Sequence, residues 1–349
     1  MREIEKLIRP NILKMAPYSS ARSLYKGEDY LLMDANENPY GIYNRYPDPV
    51  QESLKETLAQ IKQVSPENIF LGNGSDEIID LLIRIFCMPG KDAILTFTPT
   101  YGMYKVCAAL NDVEVIELPL TQNFQIPVNE ASVLFDLTRI KICFICSPNN
   151  PTGNLMKEKD VRFILRSFKG MVVIDEAYID FTNKKSMIKF LSQFPRLLVL
   201  QTLSKAYGMA GLRIGLGFNE GCIINVLNKV KPPYNISTAN QKQALNLLQN
   251  YNQRKAIDNL IEERKRLERA LMNFNTIESI FPSASNFLLC KVTDAEEMYS
   301  YFLNNGIILR NRSKDIPNTI RISIGKPEEN NNLIDTLKQY DERKSTIPG

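Results

Sequence analysis

The sequence predicts an α/β protein, with a mostly parallel seven-stranded sheet in a large domain and a smaller α+β domain. Through the middle of the chain, short apolar runs typical of buried strands alternate with amphipathic runs typical of helices. Such alternation favours a parallel sheet that is covered on both faces. The length of 349 residues exceeds what one hydrophobic core normally organises, which predicts two domains.

The large domain is predicted to span residues 43–243. Its apolar runs predict seven strands, at residues 69–71, 93–97, 113–118, 140–146, 171–174, 197–201 and 213–218. Amphipathic spacing predicts helices between several of them, at residues 77–87, 102–110, 158–168 and 185–194.

The smaller domain is predicted to combine residues 1–42, which are loop-rich, with residues 244–349. A long helical pattern runs over residues 237–274, and its charged run at 262–266 is typical of a solvated helix face. The remaining patterns predict strands at 287–292, 307–309 and 319–324 and helices at 295–304 and 328–340.

Charge and hydropathy argue against two classes of partner. The 43 basic and 39 acidic residues are interspersed and leave a net charge of +4, so nucleic acid is not an expected partner. No apolar run approaches the roughly 20 residues that span a bilayer, so no membrane association is expected. Because residues 1–10 lack the apolar core of a signal peptide, the expected location is the cytoplasm.

The chain contains no histidine. This absence excludes Ser-His-Asp and Cys-His sites, histidine-ligated metals and the usual base at neutral pH. Proton transfer in an enzyme of this composition must therefore use lysine, tyrosine, cysteine, a carboxylate or a cofactor. No metal site is predicted.

The six cysteines are too sparse for a disulfide framework in a chain of this length. Cys143 and Cys146 form a C-x-x-C motif, which could be redox-active or half of a zinc site. The motif lies inside a predicted buried strand, with no second C-x-x-C and no histidine to complete a metal site. Core packing is the favoured interpretation.

Four polar segments lie at the ends of predicted strands, where doubly wound sheets bind ligands. They are residues 72–77, 147–153, 172–178 and 202–213. Each also has a simpler explanation. Residues 72–77 could be a helix N-cap and residues 147–153 an ordinary turn, while Asp175 could cap the next helix and Lys205 could be a solvated surface lysine. A dinucleotide fingerprint would need glycine where Glu77 stands, but a phosphate would suit the helix N-terminus predicted there.

Together the four segments indicate a site for pyridoxal 5′-phosphate (PLP), which needs a lysine for its aldehyde, an acid beside its ring nitrogen and a phosphate cradle. Lys205 is the predicted lysine and proton shuttle, and Asp175 is the predicted acid. Asn150 and Tyr178 would hydrogen-bond the ring oxygen, and Tyr101 would lie against the ring. The residues predicted to hold the phosphate are Ser75, Asp76, Thr202, Ser204 and Arg213.

The order N-P-T-G (150–153), D-E-A-Y (175–178), S-K (204–205) and a downstream arginine resembles the aspartate-aminotransferase-like, or fold type I, PLP enzymes. Within them, the chain most resembles the class II histidinol-phosphate aminotransferase family. Further segments that support the resemblance are residues 34–41, 45–48, 74–77, 99–104, 146–153, 202–206 and 210–213.

The resemblance implies roles for five residues outside the cofactor motifs. Arg321 matches the arginine that pairs with the substrate's carboxylate, as its planar fork allows. Arg310 and Tyr18 match positions that contact the substrate's phosphate end, and Asn36 is expected to line the same pocket. Tyr46 matches a tyrosine that reaches the cofactor phosphate of the neighbouring subunit, which implies a homodimer.

The resemblance further implies transfer of an amino group between histidinol phosphate/imidazole-acetol phosphate and glutamate/2-oxoglutarate. An aromatic aminotransferase and a threonine-phosphate decarboxylase share the fold and stay open as alternatives. A catalytically silent PLP-fold binding protein is a further alternative. Intact Lys205, Asp175, Asn150 and Arg321 argue against that last one, since a silent protein need not keep the set.

Overall fold

A computed structural model describes residues 3–17 and 31–346. Its larger sheet has seven strands in the order β1-β7-β6-β5-β4-β2-β3. Strand β7 is antiparallel to both neighbours, and the other adjacent strands are parallel. The bounds are β1 Ile69–Asn73, β2 Ala93–Thr98, β3 Glu114–Pro119, β4 Ile140–Cys146, β5 Met171–Asp175, β6 Leu197–Thr202 and β7 Ile214–Phe218. All seven strands and the predicted α/β class are thereby confirmed.

A hydrophobic cluster covers each face of this sheet, and side chains alternate between the two clusters along a strand. In β4, Cys143 and Ile145 join the hydrophobic cluster on one face, and Ile142, Phe144 and Cys146 join the cluster on the other. Cys143 and Cys146 are thus buried on opposite faces of the sheet and form no disulfide. The helices of this part are α1 Pro10–Lys14, α2 Glu52–Lys62, α3 Ser75–Phe86, α4 Met103–Leu110, α5 Val128–Leu134, α6 Glu158–Ser167, α7 Cys222–Val230 and α8 Thr238–Asn250.

The smaller sheet is antiparallel, with four strands in the order β10-β11-β9-β8. A separate hydrophobic cluster packs between this sheet and its helices. The bounds are β8 Ile277–Phe281, β9 Phe287–Val292, β10 Arg310–Asn311 and β11 Thr319–Ser323, with α9 Gln253–Leu271, α10 Ala295–Asn304 and α11 Pro327–Thr346. Two sheets with separate clusters support the two-domain interpretation, while the boundary at 243/244 stays a prediction.

Some local predictions were wrong. The helical pattern at 237–274 is two helices, because Asn252 interrupts it and caps α9 by accepting a hydrogen bond from the Lys255 amide at 3.0 Å. The strand predicted at 307–309 lies instead at Arg310–Asn311, where it pairs with β11. Residues 187–193 form a 3-10 helix, and α1, α2, α5, α7 and β8 were not predicted. None of the helices described in residues 3–17 and 31–346 is long and apolar enough to cross a bilayer.

Candidate active site

A cavity of about 530 Å³ lies where the carboxyl ends of the parallel strands face the smaller sheet. Strand β1 contributes to the same edge because it runs parallel to β6, on the far side of β7. The cavity is lined by twelve of the predicted site residues, namely Ser75, Asp76, Tyr101, Asn150, Asp175, Tyr178, Thr202, Ser204, Lys205, Arg213, Arg310 and Arg321. One site therefore collects the four polar segments that the sequence analysis singled out.

Asp175 is the last residue of β5 and is only 3% exposed. The Tyr104 hydroxyl donates to its Oδ2 at 2.7 Å, and the Ala177 amide donates to its Oδ1 at 3.0 Å. Burial raises the pKa of Asp175, and these two hydrogen bonds oppose that shift. The carboxylate is therefore held in a fixed orientation, where it can pair with a cationic ring nitrogen.

Lys205 lies three residues after the end of β6, in a turn that faces the cavity. Its Nζ lies 5.9 Å from the centroid of the Tyr178 ring. Partial burial lowers the pKa of Lys205, and the positive charges of Arg321 and Arg213 lower it further. The amine therefore holds its proton less tightly than a solvated lysine, as a nucleophile and proton shuttle requires.

The start of α3 and the Arg213 side chain form a cradle for an anion. The first N–H groups of a helix have no intrahelical acceptor and carry the positive end of its dipole. Gly74 precedes α3 with φ +80°, and its amide donates to the Arg213 carbonyl at 2.8 Å. The positive φ favours glycine at this position, and a Cβ on Gly74 would also displace the Arg213 guanidinium from the cradle.

Hydroxyl groups and a second glycine complete the cradle. The Thr202 hydroxyl lies 3.0 Å from the Ser204 hydroxyl, and both line the cavity. A Cβ on Gly215 of β7 would collide with the Ser75 amide nitrogen and the Gly74 carbonyl carbon, so only glycine lets β7 and α3 approach this closely. Asp76 accepts a hydrogen bond from the Tyr101 hydroxyl at 3.0 Å.

The smaller sheet presents arginines to the opposite wall of the cavity. Arg310 in β10 pairs directly with Arg321 in β11, and both side chains line the cavity. Arg321 Nη1 donates to the Asn150 Oδ1 at 2.5 Å, and its guanidinium lies 5.2 Å from the centroid of the Phe287 ring. The contact with Asn150 connects the smaller sheet to the polar loop after β4.

Comparison with known proteins identifies the family. The family described as aminotransferase class I and II matches residues 32–337. The chain belongs to this family. The predicted enzyme class and resemblance are thereby confirmed. A histidinol-phosphate aminotransferase of Cytophaga hutchinsonii is 48% identical over 97% of this chain and 99% of its own length. One of Bacteroides thetaiotaomicron is 47% identical over the same shares.

Solved structures agree with the fold. The histidinol-phosphate aminotransferase of Clostridium acetobutylicum superposes with a TM-score of 0.79 at 25% identity, over 88% of this chain and 98% of that one. The Sinorhizobium meliloti enzyme of the same name, in complex with PLP, has a TM-score of 0.77 at 21% identity, over 86% and 84%. Because the Sinorhizobium meliloti enzyme is only 21% identical, its similarity supports the fold alone.

Two predicted site residues of this aminotransferase line another pocket, and a third is not described. Asn36 and Tyr46 line a different pocket, and the Tyr46 ring stacks on Tyr234 with centroids 4.5 Å apart. Within one chain they do not reach Lys205. Tyr18 lies outside the described residues.

The structure adds two residues that the sequence analysis missed. Tyr104 is almost fully buried, and it bonds Asp175 from within α4, where the sequence shows only an aromatic residue at helical spacing. Arg312 lines the cavity beside Arg310 and Arg321. Its position two residues after Arg310 was the available signal, since alternate residues of a strand share a face.

Proposed function

We propose that this aminotransferase moves an amino group between histidinol phosphate/imidazole-acetol phosphate and glutamate/2-oxoglutarate, with PLP as cofactor. The observation that carries the proposal is the single cavity that joins Lys205, Asp175 and the anion cradle to an arginine-rich wall. The names of the relatives at 46–48% identity support the same substrate.

The residues present suit PLP. Asp175 would hold the ring nitrogen, the α3 N-terminus with Arg213 would hold the phosphate, and Lys205 would bond the aldehyde. Asn150 and Tyr178 would contact the ring oxygen, Tyr101 the ring, and Ser75, Asp76, Thr202 and Ser204 would complete the phosphate cradle. No group of three or more histidine, cysteine or acidic side chains suited to a metal occurs within the described ranges.

When bound, PLP supplies an aldehyde for the substrate amine and a ring that withdraws electrons from the adjacent carbon. Lys205 Nζ would remove the proton from the substrate carbon that bears the nitrogen, since its lowered pKa favours the free amine. Asp175 would keep the ring nitrogen protonated. Arg321 and Arg310 would hold the anionic group of the substrate and so orient the carbon toward Lys205.

A substrate panel tests the proposal. The purified holoenzyme is mixed with histidinol phosphate, glutamate, phenylalanine, tyrosine or threonine phosphate, and the cofactor absorbance is followed. Histidinol phosphate and glutamate should each convert the aldehyde form to the amine form. Faster reaction with the aromatic amino acids would favour an aromatic aminotransferase. Release of carbon dioxide from threonine phosphate would favour the decarboxylase.

We further propose a cytoplasmic homodimer in which each chain completes its partner's site. Large apolar side chains are exposed at 31–50, including Ile42 at 93% and Tyr43 at 68%, and such patches are typical of interfaces. Tyr46 lies in this segment and lines a pocket other than the cavity of its own chain. The six cysteines are all free, as suits a reducing compartment.

Mixing two variants, each expected to lose most of its activity alone, tests the shared site. In a hybrid of Lys205→Ala and Tyr46→Ala chains, one of the two sites would combine an intact Lys205 with an intact Tyr46. Mixing and re-equilibrating the two proteins should restore activity toward a quarter of the wild-type value. Mixing that restores nothing, although the chains exchange, would place Tyr46 outside the partner's site.

A further inference from the structure

A third arginine, Arg312, lies on the cavity wall formed by the smaller sheet. Its amide donates to the Thr319 carbonyl at 2.8 Å, which extends the β10–β11 pairing by one residue. Because Arg312 is two residues beyond Arg310, both side chains leave the strand on the same face. The structure therefore places three guanidinium groups on one wall.

The guanidinium of Arg312 is paired with one carboxylate, but not all of its N–H groups have an acceptor among the described residues. Its Nη2 lies 2.9 Å from the Asp315 Oδ2, and the side chain is 17% exposed. Its Nε is buried and has no hydrogen-bond acceptor among the described residues. Arg312 also lines the cavity, so the terminal N–H groups of its guanidinium can donate to a ligand that supplies an acceptor there.

The arginine wall carries more positive charge than its own acids balance. Within residues 3–17 and 31–346, the one carboxylate that forms an ion pair with this wall is that of Asp315, against the three cations Arg310, Arg312 and Arg321, which leaves two positive charges uncompensated. The other two carboxylates that line the cavity belong to the opposite wall, where Asp76 Oδ2 lies 3.6 Å from Arg213 Nη2 and Asp175 bonds Tyr104. An anion with two negative charges would match the surplus.

We propose that Arg312, held by Asp315, is a substrate-binding residue that makes this wall prefer a doubly charged phosphate ester to a carboxylate. The inference rests on the proposed function and deepens it. In histidinol phosphate, the carbon that bears the amine carries a phosphate ester group where glutamate carries a carboxylate. The same wall must therefore accept a planar anion of one charge and a tetrahedral anion of two.

The shapes of the two anions explain why Arg312 would act on the phosphate ester and not on the carboxylate. A planar carboxylate is satisfied by the fork of one arginine, for which Arg321 is placed. A phosphate has three terminal oxygens and about two negative charges near pH 7, so it can use additional donors. Arg312 supplies a donor that the carboxylate of glutamate does not need.

The test compares the two half-reactions in the same holoenzyme preparations. Arg312→Gln should lower kcat/KM for histidinol phosphate by about 10- to 100-fold, the usual value of a charge-assisted hydrogen bond. The loss should lie mainly in KM, and kcat/KM for glutamate should change by less than about threefold. Arg312→Lys should recover part of the loss. The matched control is Lys314→Gln, which removes an exposed neighbouring charge outside the cavity and should leave both half-reactions unchanged.

Asp315→Asn removes the ion pair that positions the Arg312 guanidinium. It should lower kcat/KM for histidinol phosphate by a smaller factor than Arg312→Gln does. If Arg312→Gln does not fold, as its melting temperature and cofactor spectrum would show, Asp315→Asn tests the inference in its place. Equal losses for glutamate and histidinol phosphate, or no loss for either, would overturn the inference.

Inorganic phosphate separates failure of this inference from failure of the proposed function. Phosphate should inhibit the glutamate half-reaction competitively, and Arg312→Gln should raise its inhibition constant about tenfold or more. If the wild type reacts with glutamate but not with histidinol phosphate, the proposed function fails, while the phosphate measurement still decides the role of Arg312. An unchanged inhibition constant would refute that role.

Discussion

The two walls of the cavity differ in how completely their polar groups are paired. On the wall of the larger sheet, Asp175 is buried and accepts two hydrogen bonds, and Asp76 accepts one from Tyr101. On the wall of the smaller sheet, Arg310 is exposed and Arg312 keeps a buried Nε without an acceptor among the described residues. Carboxylates that hold one permanent cofactor can be oriented in advance by hydrogen bonds within the protein, whereas a wall that exchanges substrates must leave donors for them.

The difference predicts two patterns of mutational effect. Changes on the wall of the larger sheet, here called the cofactor wall, should alter the rates of both half-reactions by the same factor, because each uses the same cofactor. Changes on the arginine wall should act mainly on KM, and they can separate one substrate from the other.

Replacing Lys205 should have the largest effect. Lys205→Ala removes both the amine that bonds the aldehyde and the proton shuttle, so both half-reactions should slow by about 10³-fold or more. The rates are measured by cofactor absorbance. Borohydride should fix the cofactor covalently to Lys205 in the wild type and leave this variant unlabelled. Turnover at the wild-type rate would falsify the assigned mechanism.

Asp175→Asn should come next. The variant keeps the shape of the side chain but loses the negative charge that stabilises the protonated ring nitrogen, and a loss of about 10²-fold in kcat is expected for both half-reactions. Circular dichroism should show an unchanged fold. A loss confined to one substrate would contradict a role on the cofactor wall.

Arg321→Gln tests the opposite wall. Loss of the fork should lower kcat/KM by about 10- to 100-fold, mostly through KM, for both glutamate and histidinol phosphate. Cofactor affinity, measured by dialysis and reconstitution, should stay near the wild-type value. A cofactor that dissociates much more readily would show that Arg321 acts on the cofactor wall instead.

Gly215→Ala tests the close approach of β7 to α3. Because a Cβ there would meet backbone atoms of Gly74 and Ser75, which cannot rotate away, we expect a loss of about 1–3 kcal/mol in the free energy of unfolding. Gly211→Ala is the matched control, since a Cβ at Gly211 meets nothing within 4 Å and should change stability by less than about 0.5 kcal/mol. Urea titration with saturating cofactor measures both, and equal values would refute the packing argument.

Tyr104→Phe should have the smallest effect and a specific dependence on pH. The Tyr104 hydroxyl favours the ionised form of Asp175, so its removal should raise the pKa of Asp175 further. Activity requires the carboxylate, and it should therefore be lost at a higher pH than in the wild type when the solution is acidified. At pH 8 the variant should retain activity within a few-fold. Identical acid limbs in the two pH profiles would contradict this contact.

Much of the fold could be predicted, because buried parallel strands are continuous apolar runs and their polar ends mark the site. Tyr104 and Arg312 could not be assigned, since helical or strand spacing gives the face of a side chain but not the neighbour it meets. The break between α8 and α9 was missed because a capping asparagine inside a long polar helix leaves the hydrophobic period almost intact.

The sequence by itself determined the class of the fold and excluded histidine chemistry. It also determined the asparagine motif after β4, the acid at the end of β5 and the lysine after β6. These features depend on local patterns and on which residue types are present. Only the tertiary structure decided that β7 enters antiparallel between β1 and β6, which brings Gly74 beside Arg213 and Ser75 beside Gly215. It also decided that Arg310, Arg312 and Arg321 share one wall. Such contacts join residues far apart in the chain, and only the packing of the elements brings them together.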